Sequence, residues 1–299
     1  MLAAVSVVAA SAGWLSGCAP STSEPPSDVR EVRDELGRTL KVKPRPSRIV
    51  SLAPSVTETL FALGLGDQIV GVTTFCDYPA EAQTKEKVGD TLRPNIERIV
   101  ALKPDLAIAS TSSQLEQFVK KLDDLGIPVF VSNPSDLAGV VASIEKIGNV
   151  AGASERAAVL SAELRARVRE VETRVSGAER PNVLVMLGSE PLIAPGRPSF
   201  ITDMINRAGG HSISGDESAE YPQYSLETAI AKRPDVIFLQ SGEDQVPARL
   251  RETPASRSGR VFHLPDELLL RPGPRLIDGF EELARRIHPE VFEGGRPDP

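Results

Sequence analysis

The chain has 299 residues, a hydrophobic fraction of 40% and a net charge of −7, enough for one large globular domain or two modest ones. The acidic balance, with no Lys/Arg-rich face interleaved with aromatics, argues against nucleic acid as a partner. Three histidines, none at ligand spacing, argue against a metal-ion receptor, and the absence of a G-x-S-x-G elbow, a P-loop or a dinucleotide glycine fingerprint leaves no motif pointing to an enzyme.

The first eighteen residues, MLAAVSVVAASAGWLSGC, form an uncharged apolar run closing on small residues and a cysteine. The run is short for a membrane-spanning helix, which needs about 20 apolar residues, and reads better as an export signal. Its ending, Leu15-Ser16-Gly17-Cys18, resembles the lipobox of bacterial lipoproteins, which implies cleavage before Cys18 and a lipid on its thiol; an ordinary cleaved signal or a buried helix is the plainer alternative. No Lys or Arg precedes the run, a departure that leaves the position of the true start open. With Cys18 lipidated, Cys76 is the remaining thiol and no intramolecular disulfide can form. APSTSEPPSD (19–28) is Pro/Ser-rich and apolar-poor, a tether rather than a folded element.

VREVRDELGRTLKV (29–42) alternates loosely around Leu36-Gly37-Arg38, the pattern of a hairpin. RIVSLAP (48–54) is a buried-strand signal. SVTETLFALGLG follows, with Ser55 and Glu58 spaced as a capping box and Gly64 and Gly66 as helix stops. QIVGVT (68–73) and IPVFVS (127–132) read as strands, with a helix near 114–125 before the second. From Ser135 to about Val175 there is no strand signal, only apolar residues at helical spacing, with Gly148 and Gly152 suggesting one break. The alternation then restarts: NVLVML (182–187) as strand, SFITDMINRAGG (199–210) as capped helix, GRVFHL (259–264) as last strand and RLIDGFEELARRIHPE (275–290) as closing amphipathic helix.

One unit occurs twice. NIERIVALKPDLAIA (95–109) and SLETAIAKRPDVIFL (225–239) each hold a cap residue (Asn95, Ser225), a Glu two places on (Glu97, Glu227), Pro-Asp seven residues later, and an apolar run. The expected fold is therefore α/β: two Rossmann-like lobes with parallel sheets, joined by a long helical segment, with a ligand cleft between them. The boundaries read from the pattern are 1–17 signal, 18–28 tether, 29–134 first lobe, 135–178 connecting helix, 179–292 second lobe and 293–299 tail.

The order of these motifs is specific. RIVSLAPSVTETLFALGLGDQIVGVTTFCDYP, NIERIVALKPDL, a long helix, a second lobe and RPGPRLIDGFEELARRIHPE resemble the helical-backbone solute-binding proteins of ABC importers for vitamin B12, ferric siderophores and haem. Through DYP, NIERIVALKPDL and YPQYSLE the chain is most similar to the cobalamin-binding branch, over roughly residues 29–292. The resemblance implies a non-catalytic, monomeric receptor at the cell envelope, in the periplasm or on the outer face of the cytoplasmic membrane. Its ligand would be a corrinoid or another metal chelate, and its partners an ABC permease with its ATPase. It places Glu97 and Glu227 on the outer surface as docking carboxylates for permease arginines, a role to which bidentate Arg–carboxylate pairing is suited; a repeated Glu also suits two helix starts through the macrodipole alone. It assigns Phe75 and Tyr221 to ligand contact, with Arg271 as a ligand-facing arginine and Glu267 near an acidic position. Tyr78 fits pocket or core equally, Asp77 and Cys76 are further candidates for the cleft, with Cys76 reading first as a small buried hydrophobe, and Arg275 reads as a helix tether or a solvent-facing group. Where well-known members carry Trp, Trp and Phe, this chain has Thr91, Ser110 and Leu187, and its single Trp is Trp14, within the signal. The ligand thus stays open between a corrinoid and a ferric siderophore or haem, and a non-transport sensor or accessory lipoprotein on the same scaffold is the other class.

Overall fold

A computed structural model describes residues 29–110, 115–240 and 246–293; the signal, the Cys18 lipobox, Trp14 and the end of the tail lie outside the described residues. The chain opens with an antiparallel hairpin of β1 (Arg30–Arg33) and β2 (Thr39–Val42). Gly37 takes φ +82° at its turn, a conformation open to glycine at no steric cost. The first lobe then runs β3 (Ile49–Ser51), α1 (Pro54–Ala62), β4 (Ile69–Val72), α2 (Ile96–Ala101), β5 (Leu106–Ser110), α3 (Leu115–Asp124) and β6 (Val129–Ser132). Its sheet is parallel, in the order β4-β3-β5-β6.

Two helices follow, α4 (Leu137–Val150) and α5 (Ser154–Arg174). The connecting segment is therefore a helical pair and not one helix. The break falls at Gly152, at φ +79°, whereas Gly148 stays inside α4. A methyl on Gly148 would meet the Ala157 Cβ at 2.2 Å, so this glycine permits close helix packing. The pair runs antiparallel: Gly148 meets Ala157 next to the turn, and farther along α5 Ser161 donates to the carbonyl of Val141, farther back on α4. Leu137, Val140, Val141 and Ile144 pack with the second lobe's core, and Ile147, Val150 and Ala157 with the first lobe's. Leu164, Val168 and Val171 of α5 return to the second core. Each connecting helix thus belongs to both cores.

The second lobe repeats the first: β7 (Asn182–Met186), the two-residue strands β8 (Gly188–Ser189) and β9 (Leu192–Ile193), α6 (Phe200–Arg207), β10 (His211–Ser212), α7 (Leu226–Ala231), β11 (Val236–Gln240), α8 (Pro254–Arg257), β12 (Val261–Leu264), α9 (Asp266–Leu269), α10 (Leu276–Ile287) and α11 (Pro289–Glu293). Its main sheet is again parallel, in the order β10-β7-β11-β12. Apart from the small β8–β9 pair, the strand order by chain position is the same in both lobes.

The twice-written unit folds the same way twice. Asn95 accepts from the Arg98 amide and Ser225 from the Thr228 amide, each a side-chain cap. Both helices end on a non-glycine residue in the left-handed region, Lys103 at φ 46° and Arg233 at φ 48°. Proline follows each and disfavours the right-handed helical region for the residue before it, which gives a sharp stop before the strand. The aspartate after that proline ties the new strand to its neighbour. Asp105 accepts from the Ser47 and Arg48 amides, the Ser47 hydroxyl and Lys43, and Asp235 from the Asn182 amide.

Partial burial alone would raise the Asp105 carboxyl, but Lys43 and the hydroxyl and amide of Ser47 outweigh it and bring it down to about 2. An unfolded aspartate titrates near 3.9. The folded value is the lower one, so this group stabilises the lobe above about pH 4, and the contribution disappears as pH falls through about 2. Asp105→Asn is expected to lower the urea midpoint at neutral pH and to have a much smaller effect near pH 2. Denaturation followed by circular dichroism across that range checks this, and equal losses at both ends would contradict it.

Candidate functional site

In each sheet the first and third strands by chain order lie side by side while the connections diverge around them, which makes the carboxyl ends of β3/β5 and β7/β11 the switch points where open α/β sheets bind ligands. In the first lobe these ends carry the start of α1 and the segment after β4. On the same side of the second sheet, the carboxyl end of the edge strand β12 leads through α9 into α10. The two sides meet. A methyl placed on Gly273 would come within 3.2 Å of the Ser55 carbonyl, so the RPGPR turn lies against the first turn of α1.

An ion cluster crosses this junction. Glu58 of α1, 3% exposed, takes bonds from Arg275 Nε at 2.9 Å and Nη2 at 2.7 Å and from Arg271 Nη1 at 3.2 Å. Arg271 also grips Asp77 as a fork, Nη1 to Oδ1 at 2.6 Å and Nη2 to Oδ2 at 3.1 Å. The Arg275 guanidinium lies 3.9 Å from the centre of the Tyr78 ring. The hydrogen bond from Arg271 holds the Asp77 carboxyl below its ordinary range. The bond to Asp77 raises the Arg271 guanidinium further, and the bond to Glu58 does the same for Arg275. Two cations and two anions balance within the cluster.

This corrects several expectations. Ser55 and Glu58 form no capping box, because α1 starts at Pro54 behind Ala53 with no side-chain cap. Ser55 through Leu60 are all buried, so the single charge of that stretch has no wet face and turns to the opposite lobe. Arg275 does not face solvent: it stands at the start of α10 and tethers that start to Glu58 of the opposite lobe. Arg271 does stand at the cleft, with Asp77 already on its fork. Tyr78 is 47% exposed and is not core. Cys76 is buried, as a small hydrophobe would be, its sulfur 3.0 Å from the Thr57 hydroxyl and 3.1 Å from that of Thr73; this pins the segment that carries Phe75, Asp77 and Tyr78.

Phe75 is 57% and Tyr221 41% exposed. Partial burial pushes the Tyr221 phenol up to about 12. Glu267, in α9, is half-buried and its charge acts on Arg275. Thr91 and Ser110 are half-buried, Ser110 at the carboxyl end of β5, while Leu187 packs against the second lobe's core. Glu97 and Glu227 are both exposed at the second position of their helices. Glu97 forms no ion pair among the described residues, whereas Glu227 is paired with Arg249. Sequence reasoning missed Glu58 and the bridging role of Arg275. The one available signal was a single ionisable residue in an otherwise uncharged helix.

Among the described residues, no group of three or more His, Cys, Asp or Glu side chains is placed to hold a metal ion, and no helix is long and apolar enough to cross a membrane.

Residues 49–268 match the model of the periplasmic binding protein family. An ABC transporter substrate-binding lipoprotein of Bacillus subtilis, itself uncharacterised, is 32% identical over 298 residues, covering 93% of this chain and 94% of that one. The crystal structure of a periplasmic vitamin B12 binding protein of Vibrio cholerae superposes with a TM-score of 0.74 at 29% identity, over 83% of this chain and 98% of that one. A periplasmic haem-binding protein of Roseiflexus gives 0.74 at 27% identity, over 82% and 99%. The two-lobed α/β fold with parallel sheets fits this likeness: the chain belongs to the periplasmic binding protein family, extracytoplasmic and non-catalytic, as the substrate-binding component of an ABC transporter that works with a permease and an ATPase.

Proposed function

We propose that this protein captures cobalamin or a related corrinoid between its lobes and delivers it to an ABC importer, as a monomer held at the membrane through a lipid on Cys18. The observation that carries the ligand class is a set of exposed aromatic rings: Tyr78 beside the Arg271–Arg275 cluster, Phe75 on the same segment, and Tyr221 on the second lobe. Rings of this size gain most when a flat partner covers them, and a corrin presents such a face. Vitamin B12-binding proteins recur among the relatives, for example one of Vibrio parahaemolyticus at 29% identity. A ferric siderophore or haem is the second reading. Thr91, Ser110 and Leu187 favour it, since they supply less aromatic cover than the Trp, Trp and Phe that the cobalamin branch carries there.

The first test is co-elution of the purified protein with cyanocobalamin, read by visible absorbance. Stoichiometric co-elution is expected, with Phe75→Ala and Tyr221→Ala each weakening binding by about tenfold. Folded protein that carries no cobalamin through the column moves the assignment to haem or a ferric siderophore.

For delivery, Glu97 and Glu227 offer one carboxylate handle per lobe to permease arginines, and two handles on a rigid body fix orientation. The double variant Glu97→Ala/Glu227→Ala is expected to keep ligand affinity within about twofold, since neither side chain bonds a residue of the Glu58–Arg271–Arg275–Asp77 cluster, and to cut uptake sharply. Normal uptake by the double variant would remove the docking role. Because α4 and α5 each pack into both cores, closure on ligand should be small; a large change in small-angle scattering dimensions on adding ligand would contradict that.

A further inference from the structure

Arg271 holds two carboxylates of the opposite lobe, and they are unlike. The Glu58 side chain is 2% exposed and takes three bonds from two arginines. It cannot leave without stranding charge in a buried place. The Asp77 side chain is 57% exposed and rotates into water at little desolvation cost. The segment behind it does not need to move, because Cys76 is anchored between Thr57 and Thr73. Asp77 therefore occupies the outer fork of an arginine whose orientation Glu58 sets from behind.

We propose that Asp77 is a displaceable internal counter-ion for Arg271. An oxyanion on the captured molecule, a phosphodiester or a carboxylate, takes over the fork while Glu58 keeps the guanidinium in place. This rests on the reading that the cleft is the capture site. The exchange keeps the cluster neutral: one carboxylate returns to water as one ligand anion comes in. It also makes the cleft selective. A ligand with a matched anion replaces the bonds that it breaks, whereas a neutral ligand of the same shape either leaves Asp77 in its way or strands Arg271. Asp77 thus sets specificity through Arg271, and Glu58 is a positioning residue.

The test follows the Arg271 Nε–Hε resonance by nuclear magnetic resonance during titration with inorganic phosphate, assigned through its loss in Arg271→Lys. Asp77→Asn is expected to lower the phosphate concentration at half-shift by about two- to fivefold, the range of a partly exposed pair, and to lose that advantage at high salt. Glu58→Gln is expected to raise it, because the guanidinium is no longer oriented. An Asp77→Asn midpoint equal to or above that of the unmodified protein overturns the proposal, as does an Arg271 signal that ignores phosphate in both. A second arm compares cyanocobalamin with dicyanocobinamide, which lacks the phosphodiester, and Asp77→Asn should tighten only the former. If neither corrinoid binds while the phosphate midpoint still falls in Asp77→Asn, the corrinoid assignment fails and the counter-ion role stands. If cyanocobalamin binds both proteins equally and the phosphate midpoint does not change, the counter-ion role fails and the corrinoid assignment stands.

Discussion

The arrangement of the cleft depends on one buried carboxylate. Glu58 lies on a helix whose neighbouring residues are all buried, and an isolated charge in such a place costs several kcal/mol. The cost is offset only because Arg271 and Arg275 arrive from the other lobe with three hydrogen bonds. A lobe that moved away would leave Glu58 without partners. The first lobe therefore has an electrostatic requirement that the second lobe alone meets, and this fixes where the RPGPR turn sits and which way both arginines point.

The helical pair α4/α5 reinforces the same restriction, with α4 packed on α1 and α5 on α10. A single connecting helix would touch each lobe with one end. Two antiparallel helices, each shared between two cores, resist bending because any hinge angle opens apolar surface to water, at about 25 cal/mol per Å². Ion cluster and helical pair together make a body in which ligand recognition has to come from side chains that move locally. On the function proposed above, Asp77 and the exposed rings of Phe75, Tyr78 and Tyr221 are of that kind, and Glu58 is not.

Much of this was legible in the sequence because it is written in local rules. Strand and helix alternate by period, Gly37 and Gly64 mark turns, and the repeated cap-Glu-Pro-Asp frame announces a duplicated lobe. The cap residues, the stops before Pro104 and Pro234 and the break at Gly152 all follow from the chemistry of single positions. What local rules do not carry is pairing over 200 positions. Ser55 and Glu58 have capping-box spacing, yet Pro54 starts the helix earlier and the burial of α1 gives Glu58 no wet side. Nothing near Arg275 in sequence indicates that its partner is on α1. The same holds for Asp77, whose nearest charged partner is 194 residues away.

The repeat also separates what duplication keeps from what it releases. Backbone features persist: the caps, the left-handed stops and the aspartate that pins each strand. Side-chain partners diverge. Asp105 gathers Lys43 and Ser47 where Asp235 takes only the Asn182 amide among the described residues, and Glu97 is free of ion pairs there while Glu227 is held by Arg249. Under the docking reading this divergence has an energetic consequence. A permease arginine approaching Glu97 forms a new pair, but one approaching Glu227 replaces an arginine already present. Exposed pairs are worth about 0–1 kcal/mol, so the exchange at Glu227 is close to neutral while the contact at Glu97 is a net gain. The first lobe then supplies more of the affinity, and the second lobe supplies register. On that reading, two chemically identical handles on matched helices do different work because of a single neighbouring arginine.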